Sequence, residues 1–335
     1  MSTVWIDAPG RLRIAPAQRP EPGPGEATVR VAYAGICGSD RDVFAGTRPE
    51  PYVRYPVVPG HEWSGTVASV GTAVDPALVG RAVVGEGFRN CQVCDACRRG
   101  DANLCTAPYA ETGFTEPGAW SEWLRIPARL LHTLPDGADL RSAAGLEPAA
   151  CVAAGCRSAA VVPGERVAVV GGGMLGLLAV QLLRAASPAE LVVVHPRTGR
   201  AGLAKACGAD DLVTVADAAR FAGRFDAVLE TAGAPGAAHQ AVTLTRRGGR
   251  TVLTGIAGGA DTGLVPADLV TAKATIHTVF GAPPRAWTDA VRAFAAGILD
   301  PGRLVTHELA LDDAAEAFRI LTDEPGTAVK VLLRP

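Results

Sequence analysis

The stretch VAVVGGGMLGLLAVQLL, residues 167–183, sets the architecture of the chain. Val167 to Val170 make an unbroken apolar run of strand length. Three consecutive glycines interrupt it, and from about Leu175 to Ala186 the Ala/Leu-rich sequence has the make-up of a buried helix. The run is too short for a membrane span and the glycines split it, so no transmembrane segment is expected here. Gly171, Gly173 and Gly176 fall in the pattern G-x-G-x-x-G between strand and helix. In that order the loop's backbone N–H groups, with Met174 and Leu175 opening the helix, can meet a pyrophosphate at the helix N-terminus. Glycines placed only for tight packing are the plainer reading, but packing alone does not need a strand before them and a helix after.

Downstream, ELVVVH, GLAKACGAD, LVTV, DAVLETAG and GRTVLTGI alternate strand-like and helix-like segments at βαβ spacing, which predicts a doubly wound parallel sheet over residues 148–283. Upstream the texture changes. PAQRPEPGPGEATVRVAYAGICGSD passes from a Pro/Gly-rich loop into alternating residues, Thr28 to Tyr33, that read as a half-buried strand. Past Pro284 a helix is expected from Trp287 to Ala296, and the chain ends in a strand, AVKVLLRP. The fold class is therefore α/β. A Rossmann-type domain at 148–283 is joined to a β-rich domain made of 1–147 and 284–335.

With 335 residues, 48% of them hydrophobic, the chain can fill two cores. Thirty-two basic residues against 34 acidic ones leave a formal charge of -2, so no global field draws it to nucleic acid or an anionic membrane. Only RNCQVCDACRR gathers three arginines, too few for a nucleic-acid-binding face. The N-terminus lacks the basic start, apolar run and cleavage site of a secretory signal, which places the protein in the cytoplasm. Clustered thiols in that reducing setting more often hold metal than form disulfides.

Four of the eight cysteines, Cys91, Cys94, Cys97 and Cys105, follow C-x2-C-x2-C-x7-C within a lobe at 88–108. That spacing lets four thiolates converge on tetrahedral zinc. Disulfides are disfavoured by the compartment, an iron–sulfur cluster uses other spacings, and a redox CxxC would leave two cysteines idle. A closed site of four thiolates has no open position, so this zinc is structural. Elsewhere Cys37 in GICGSD, His61 and Glu62 in PGHEWSG, and Glu147 in LEPAACV offer a thiolate, an imidazole and two carboxylates, the donors of an open zinc site. Their spacing alone leaves buried structural roles equally open.

GICGSD, PGHEWSG, the cysteine loop, LEPAACV and VGGGMLG, in that order, resemble the zinc-containing medium-chain alcohol and polyol dehydrogenases, sorbitol-dehydrogenase-like members above all. The resemblance implies a GroES-like catalytic domain beside the Rossmann domain, and two zinc ions per chain. Cys37 and His61 would hold the catalytic ion, joined by Glu62 and, directly or through water, by Glu147. Asp40 would orient His61, and Ser39 would take the substrate alcohol's proton. Asp42 stands where many relatives have a proton-relaying histidine. Cys151, one helical turn beyond Glu147, is taken as core. At the end of the second strand, where NAD-specific folds offer an acid to the ribose, this chain has His195, with Arg197 and Arg200 close by. That set favours NADP(H) over NAD(H), unless both arginines are merely solvated. Lys330 stands where the family often has a basic residue near the cofactor phosphates; a surface lysine is the bland alternative.

The implied reaction is reversible oxidation of a secondary alcohol with hydride transfer to nicotinamide, by a homodimer or homotetramer. VPGHEWSG, GRAVVGEG and GFTEPGAWSEW most resemble aminocyclitol dehydrogenases of aminoglycoside antibiotic biosynthesis, which act on 2-deoxy-scyllo-inosamine. Asp42, Glu111 and Glu116 are candidate partners for such an amino sugar. A general sugar or polyol dehydrogenase, a zinc-free quinone reductase and a zinc-dependent redox-sensing binding protein are the alternatives. The quinone reductases lack both the cysteine loop and GHE.

Overall fold

The computed structural model describes residues 2–256, 263–323 and 326–335. The chain divides into two compact units. One comprises Met1–Glu147, Pro283–Ala295 and Pro301–Pro335, the other Pro148–Ala282 and Ala296–Asp300. The expected boundary near 283 therefore needs one correction, because Ala296–Asp300 falls with the second unit. Side-chain and backbone complementarity explains it: Asp300 N donates to Gln181 Oε1 at 2.6 Å, and Gln181 Nε2 donates to the Asp300 carbonyl at 3.3 Å.

In the first unit the strand Glu26–Ile36 lies at the centre of a seven-stranded sheet, bonded antiparallel to Trp63–Val70, Trp123–Pro127 and Lys330–Arg334. Ala27, Val29 and Val31 on this strand are buried in a core with Trp63, Trp120, Leu124 and Ile126, while Arg30 between them faces solvent. Each buried valine, leucine or isoleucine contributes about 1.5–3 kcal/mol by leaving water, which makes this sheet a stiff base for whatever its ends carry. At the end of the strand Cys37 caps the helix Gly38–Ala45.

The second unit is a six-stranded sheet, and every pairing in it is parallel. Its order is Asp211–Val213, Glu190–Val194, Arg166–Val170, Phe225–Glu230, Thr245–Leu253, Thr275–Thr278. Helices cover both faces of such a sheet, which is why its inner strands read as continuous Val-rich runs rather than alternating ones. The order reverses between Arg166–Val170 and Phe225–Glu230, the switch point at whose carboxyl ends ligands bind in this class of fold. The edge strand Thr275–Thr278 was not expected, since its half-exposed residues carry neither an apolar run nor a clean alternation.

Candidate metal centres and dinucleotide loop

Cys91, Cys94, Cys97 and Cys105 point their sulfurs at one another, all within 4.8 Å. Cys91 Sγ is 3.9 Å from Cys97 Sγ, and Cys94 Sγ is 3.9 Å from Cys105 Sγ. Thiolates bound tetrahedrally to zinc stand about 3.8 Å apart, so the cage fits the ion. Backbone N–H groups of Cys91 and Cys94 donate to the sulfurs of Cys105 and Cys91, each at 3.4 Å. N–H groups at Cys97 and Thr106 pull Cys94 down to about 5, while desolvation and neighbouring thiols push Cys97 up to about 12. Four thiolates coexist here only around a cation. All eight cysteines are free thiols. Arg129 ties the lobe to the sheet by donating to the Asn90 carbonyl at 2.6 Å, and Arg285 pairs with Asp101 at 2.8 Å.

One donor atom each of Cys37, His61 and Glu62 also lie within 4.8 Å of one another. Cys37 is placed by its capping box, in which its own N–H donates to Asp40 Oδ2 at 2.8 Å. The other carboxylate oxygen, Asp40 Oδ1, stands 3.5 Å from His61 Nδ1, and both atoms are buried without a completed hydrogen bond. Burial opposes protonation of His61, yet the carboxylate of Asp40 and the thiol of Cys37 hold its pKa well above the usual imidazole range. A pocket that attracts a positive charge to a thiolate, an imidazole and a carboxylate has the donor chemistry of an open zinc site. Phe114 packs against the His61 ring, tilted by 35° with 4.7 Å between centroids.

Glu147, in the first turn of the helix Leu146–Ala159, does not join that group of three. Ser39 is half-buried in the first turn after Cys37. Asp42 is exposed and accepts from Thr47 Oγ1 at 3.4 Å, Glu116 pairs with Arg89 at 3.5 Å, and Cys151 is half-buried on the helix Leu146–Ala159.

Lys330 is not the surface lysine of the bland alternative: only 4% exposed, it donates to Glu62 Oε2 at 2.5 Å and to the Ile36 carbonyl at 3.0 Å. The strand Lys330–Arg334 pairs with Glu26–Ile36 in the register Val331↔Ile36, which carries the ammonium to the Glu62 carboxylate. Removing one member of a buried ion pair leaves the other uncompensated, at a cost of about 3–5 kcal/mol. Lys330→Met is therefore expected to lower unfolding free energy by that amount in metal-free protein, with Glu62→Gln in the same chain recovering part of it. Urea unfolding measures both, and a loss under about 1 kcal/mol for the single variant would contradict the pairing.

In the second unit the glycine loop has the required shape. Gly171 adopts φ +117, and a Cβ on Gly176 would stand 1.9 Å from the Gly171 carbonyl oxygen, so only glycine lets helix and loop approach. A Cβ on Gly173 would meet nothing within 4 Å, which leaves that side open to a phosphate. Gly173 caps the helix Met174–Arg184, and Met174 and Leu175 are half-buried at its start. His195 is buried with its Nδ1 accepting from Gly172 N–H at 3.2 Å; desolvation, then Arg200 and Arg197, lower its pKa to about 4. Arg200 Nη1 donates to the Gly172 carbonyl at 2.8 Å. Two residues expected on the ribose side thus brace one residue of the glycine loop, Gly172, through its N–H and its carbonyl, and Arg197 alone of the three is exposed.

Sequence reading missed Glu230, whose buried carboxylate accepts from the N–H groups of Ala232, Gly233 and Gly255 at 2.6, 2.8 and 3.1 Å and fixes the carboxyl end of its strand. The acid in DAVLETAG was the available signal. Arg48 and Tyr109, which converge on Glu111, carried no sequence signal at all.

The fold and the two sulfur-containing clusters define a class, a two-domain zinc-binding dehydrogenase. Residues 23–136 match the alcohol dehydrogenase GroES-like domain and residues 175–296 the zinc-binding dehydrogenase family. A sorbitol dehydrogenase of Arabidopsis thaliana is 30% identical over 98% of this chain and 94% of its own. An alcohol dehydrogenase of Escherichia coli CFT073 complexed with NADH superposes with a TM-score of 0.92 at 27% identity, covering 100% of this chain and 99% of that one. A putative zinc-binding dehydrogenase of Sinorhizobium meliloti 1021 bound to NADP does so with a TM-score of 0.92 at 28% identity and the same coverage. The chain belongs to the zinc-dependent medium-chain alcohol and polyol dehydrogenases, and is an NAD(P)-dependent enzyme of that family. Among the described residues no helix is long and apolar enough to cross a membrane.

Proposed function

We propose that the protein transfers a hydride between a secondary alcohol of a polyol, sugar or aminocyclitol and a nicotinamide cofactor, with NADP(H) preferred, and that it holds two zinc ions per chain. The observation that carries the reading is the convergence of Cys37, His61 and Glu62 donor atoms within 4.8 Å. These residues would hold the catalytic ion, with Glu147 reaching it directly or through water, and the four cysteines of the lobe would hold the structural one. When bound, zinc supplies Lewis acidity that lowers the pKa of a substrate hydroxyl, and the nicotinamide supplies the hydride acceptor. Ser39 takes the hydroxyl proton, Asp40 orients the His61 ring, and Lys330 holds the Glu62 carboxylate.

NADP(H) is favoured because His195 replaces the acid that would accept from a ribose diol and repel a 2′-phosphate, while Arg197 stands exposed beside it. Resemblance to the aminocyclitol dehydrogenases supports a role in aminoglycoside antibiotic biosynthesis. The sorbitol dehydrogenases among the relatives support the second reading, an open-chain polyol. A cytoplasmic setting agrees with eight free thiols, and a homodimer or homotetramer agrees with the half-exposed edge strand Thr275–Thr278. A panel of polyols, amino sugars, aminocyclitols and simple alcohols, assayed with each cofactor, tests substrate and cofactor together. The expected result is a kcat/KM for NADP+ at least about tenfold above that for NAD+, or about 1.4 kcal/mol. A clear preference for NAD+ would end the cofactor argument.

A further inference from the structure

We propose that Glu111 is a specificity-determining residue whose carboxylate, held by Arg48 and Tyr109, accepts a hydrogen bond from a second donor group of the substrate, a hydroxyl or an ammonium close to the reacting carbon. The enzyme would then select polyfunctional alcohols over simple ones. This rests on the reading that reaction occurs at Cys37, His61 and Glu62.

The position of Glu111 follows from an antiparallel bridge between Phe88 and Glu111, which lays its side chain over Gly87. Even a Cβ at residue 87 would come within 3.1 Å of Glu111 Oε1. The two carboxylate oxygens are treated differently. Oε2 accepts from the Tyr109 hydroxyl and from Arg48 Nη2, the latter at 3.4 Å. Oε1 makes no hydrogen bond among the described residues, and it is not among the atoms sealed from solvent. An arginine–carboxylate pair built only for stability commonly uses both oxygens in a fork. Here one oxygen is fixed and the other is left over.

This carboxylate stands beside the candidate metal centre. The Arg48 guanidinium lies 3.8 Å from the centroid of Phe114, the ring that packs against His61. Glu111 feels the charges of His61, Arg48, Glu147 and Asp40, and desolvation pushes its pKa up to about 7. A carboxylate only 7% exposed in such a place is costly to keep ionised without a partner on each oxygen. An ionised carboxylate is acceptor-only, so what completes Oε1 is a donor. Asp42 and Glu116 do not offer the same device, since Asp42 is exposed and Glu116 is paired with Arg89.

The test uses holoenzyme with a hexitol, an amino-substituted cyclitol and cyclohexanol, which has no second donor. Glu111→Ala is expected to lower the ratio of kcat/KM for the polyfunctional substrates to that for cyclohexanol by on the order of 10²-fold, because a site built around a substrate donor discriminates strongly against its absence. The Kd of the hexitol for the enzyme with reduced cofactor, read by calorimetry, should rise in step. Glu111→Gln keeps the shape and a carbonyl acceptor, so it guards against misfolding and separates the sources. Recovery on the hexitol identifies a hydroxyl; recovery there with continued loss on the amino cyclitol shows that an ammonium is read through charge. An unchanged ratio in both variants overturns the proposal while leaving the metal-centre reading intact. A wild-type holoenzyme that oxidises no alcohol overturns both.

Discussion

His61→Ala and Cys37→Ser are each expected to lower kcat/KM by on the order of 10³-fold or more, about 4 kcal/mol, while the affinity for NADPH stays within about threefold. The size follows from what each variant removes. Cys37 supplies the only thiol of the group of three, and His61 its only imidazole. An open zinc site has three protein ligands, so a loss leaves too few to keep the ion. The Asp40 carboxylate, fully buried, would also lose the ring beside it, which adds a disordered anion to the damaged site. Dinucleotide affinity is spared because Gly171, Gly173 and Gly176 belong to the other unit. Metal analysis should show one zinc ion remaining of two, and quenching of protein fluorescence by NADPH should be close to that of the parent. Full turnover in either variant would refute the assignment of these residues.

What the sequence disclosed depended on whether the signal was local. The C-x2-C-x2-C-x7-C loop and the G-x-G-x-x-G turn are each written within a few residues, because one loop makes the whole site, and both have the local geometry those patterns require. The parallel sheet was legible from Val-rich strands at βαβ spacing. Cys37 and His61 came together in the reading only through resemblance to a family, since nothing in their spacing says that the end of one strand faces the start of the next. The pairing of Lys330 was not legible because its partners, Ile36 and Glu62, lie 294 and 268 residues away along the chain. Only strand register brings them together. His195 and Arg200 were read as ligand-facing for a similar reason: a residue after a strand can point outward or fold back onto the neighbouring loop, and here both fold back onto Gly172.

Cys94→Ala is expected to cost the protein its lobe zinc and to lower Tm by roughly 10 °C or more, while the Cys37 centre keeps its ion. Three thiolates of a four-thiolate cage bind zinc far more weakly, and metal binding by a closed site is folding free energy. Without the ion little else closes the loop. Between Cys91 and Cys105 the regular structure is a four-residue helix, Asp95–Arg98, and a three-residue 3-10 turn, Ala102–Leu104. Val93 and Leu104 are 66% and 62% exposed, so the lobe has little apolar core of its own. Its further ties include the Arg129–Asn90 bonds at one end and the Arg285–Asp101 ion pair, which is half exposed and worth at most about 1 kcal/mol. Limited proteolysis should therefore cut the variant first between residues 91 and 105, at protease levels that leave the parent whole. The same cleavage pattern should appear in parent protein stripped by a chelator, because both treatments remove one constraint by different routes. A variant that keeps two zinc ions and the parent's Tm would mean that the four sulfurs, although 3.9 Å apart in pairs, are not a zinc cage.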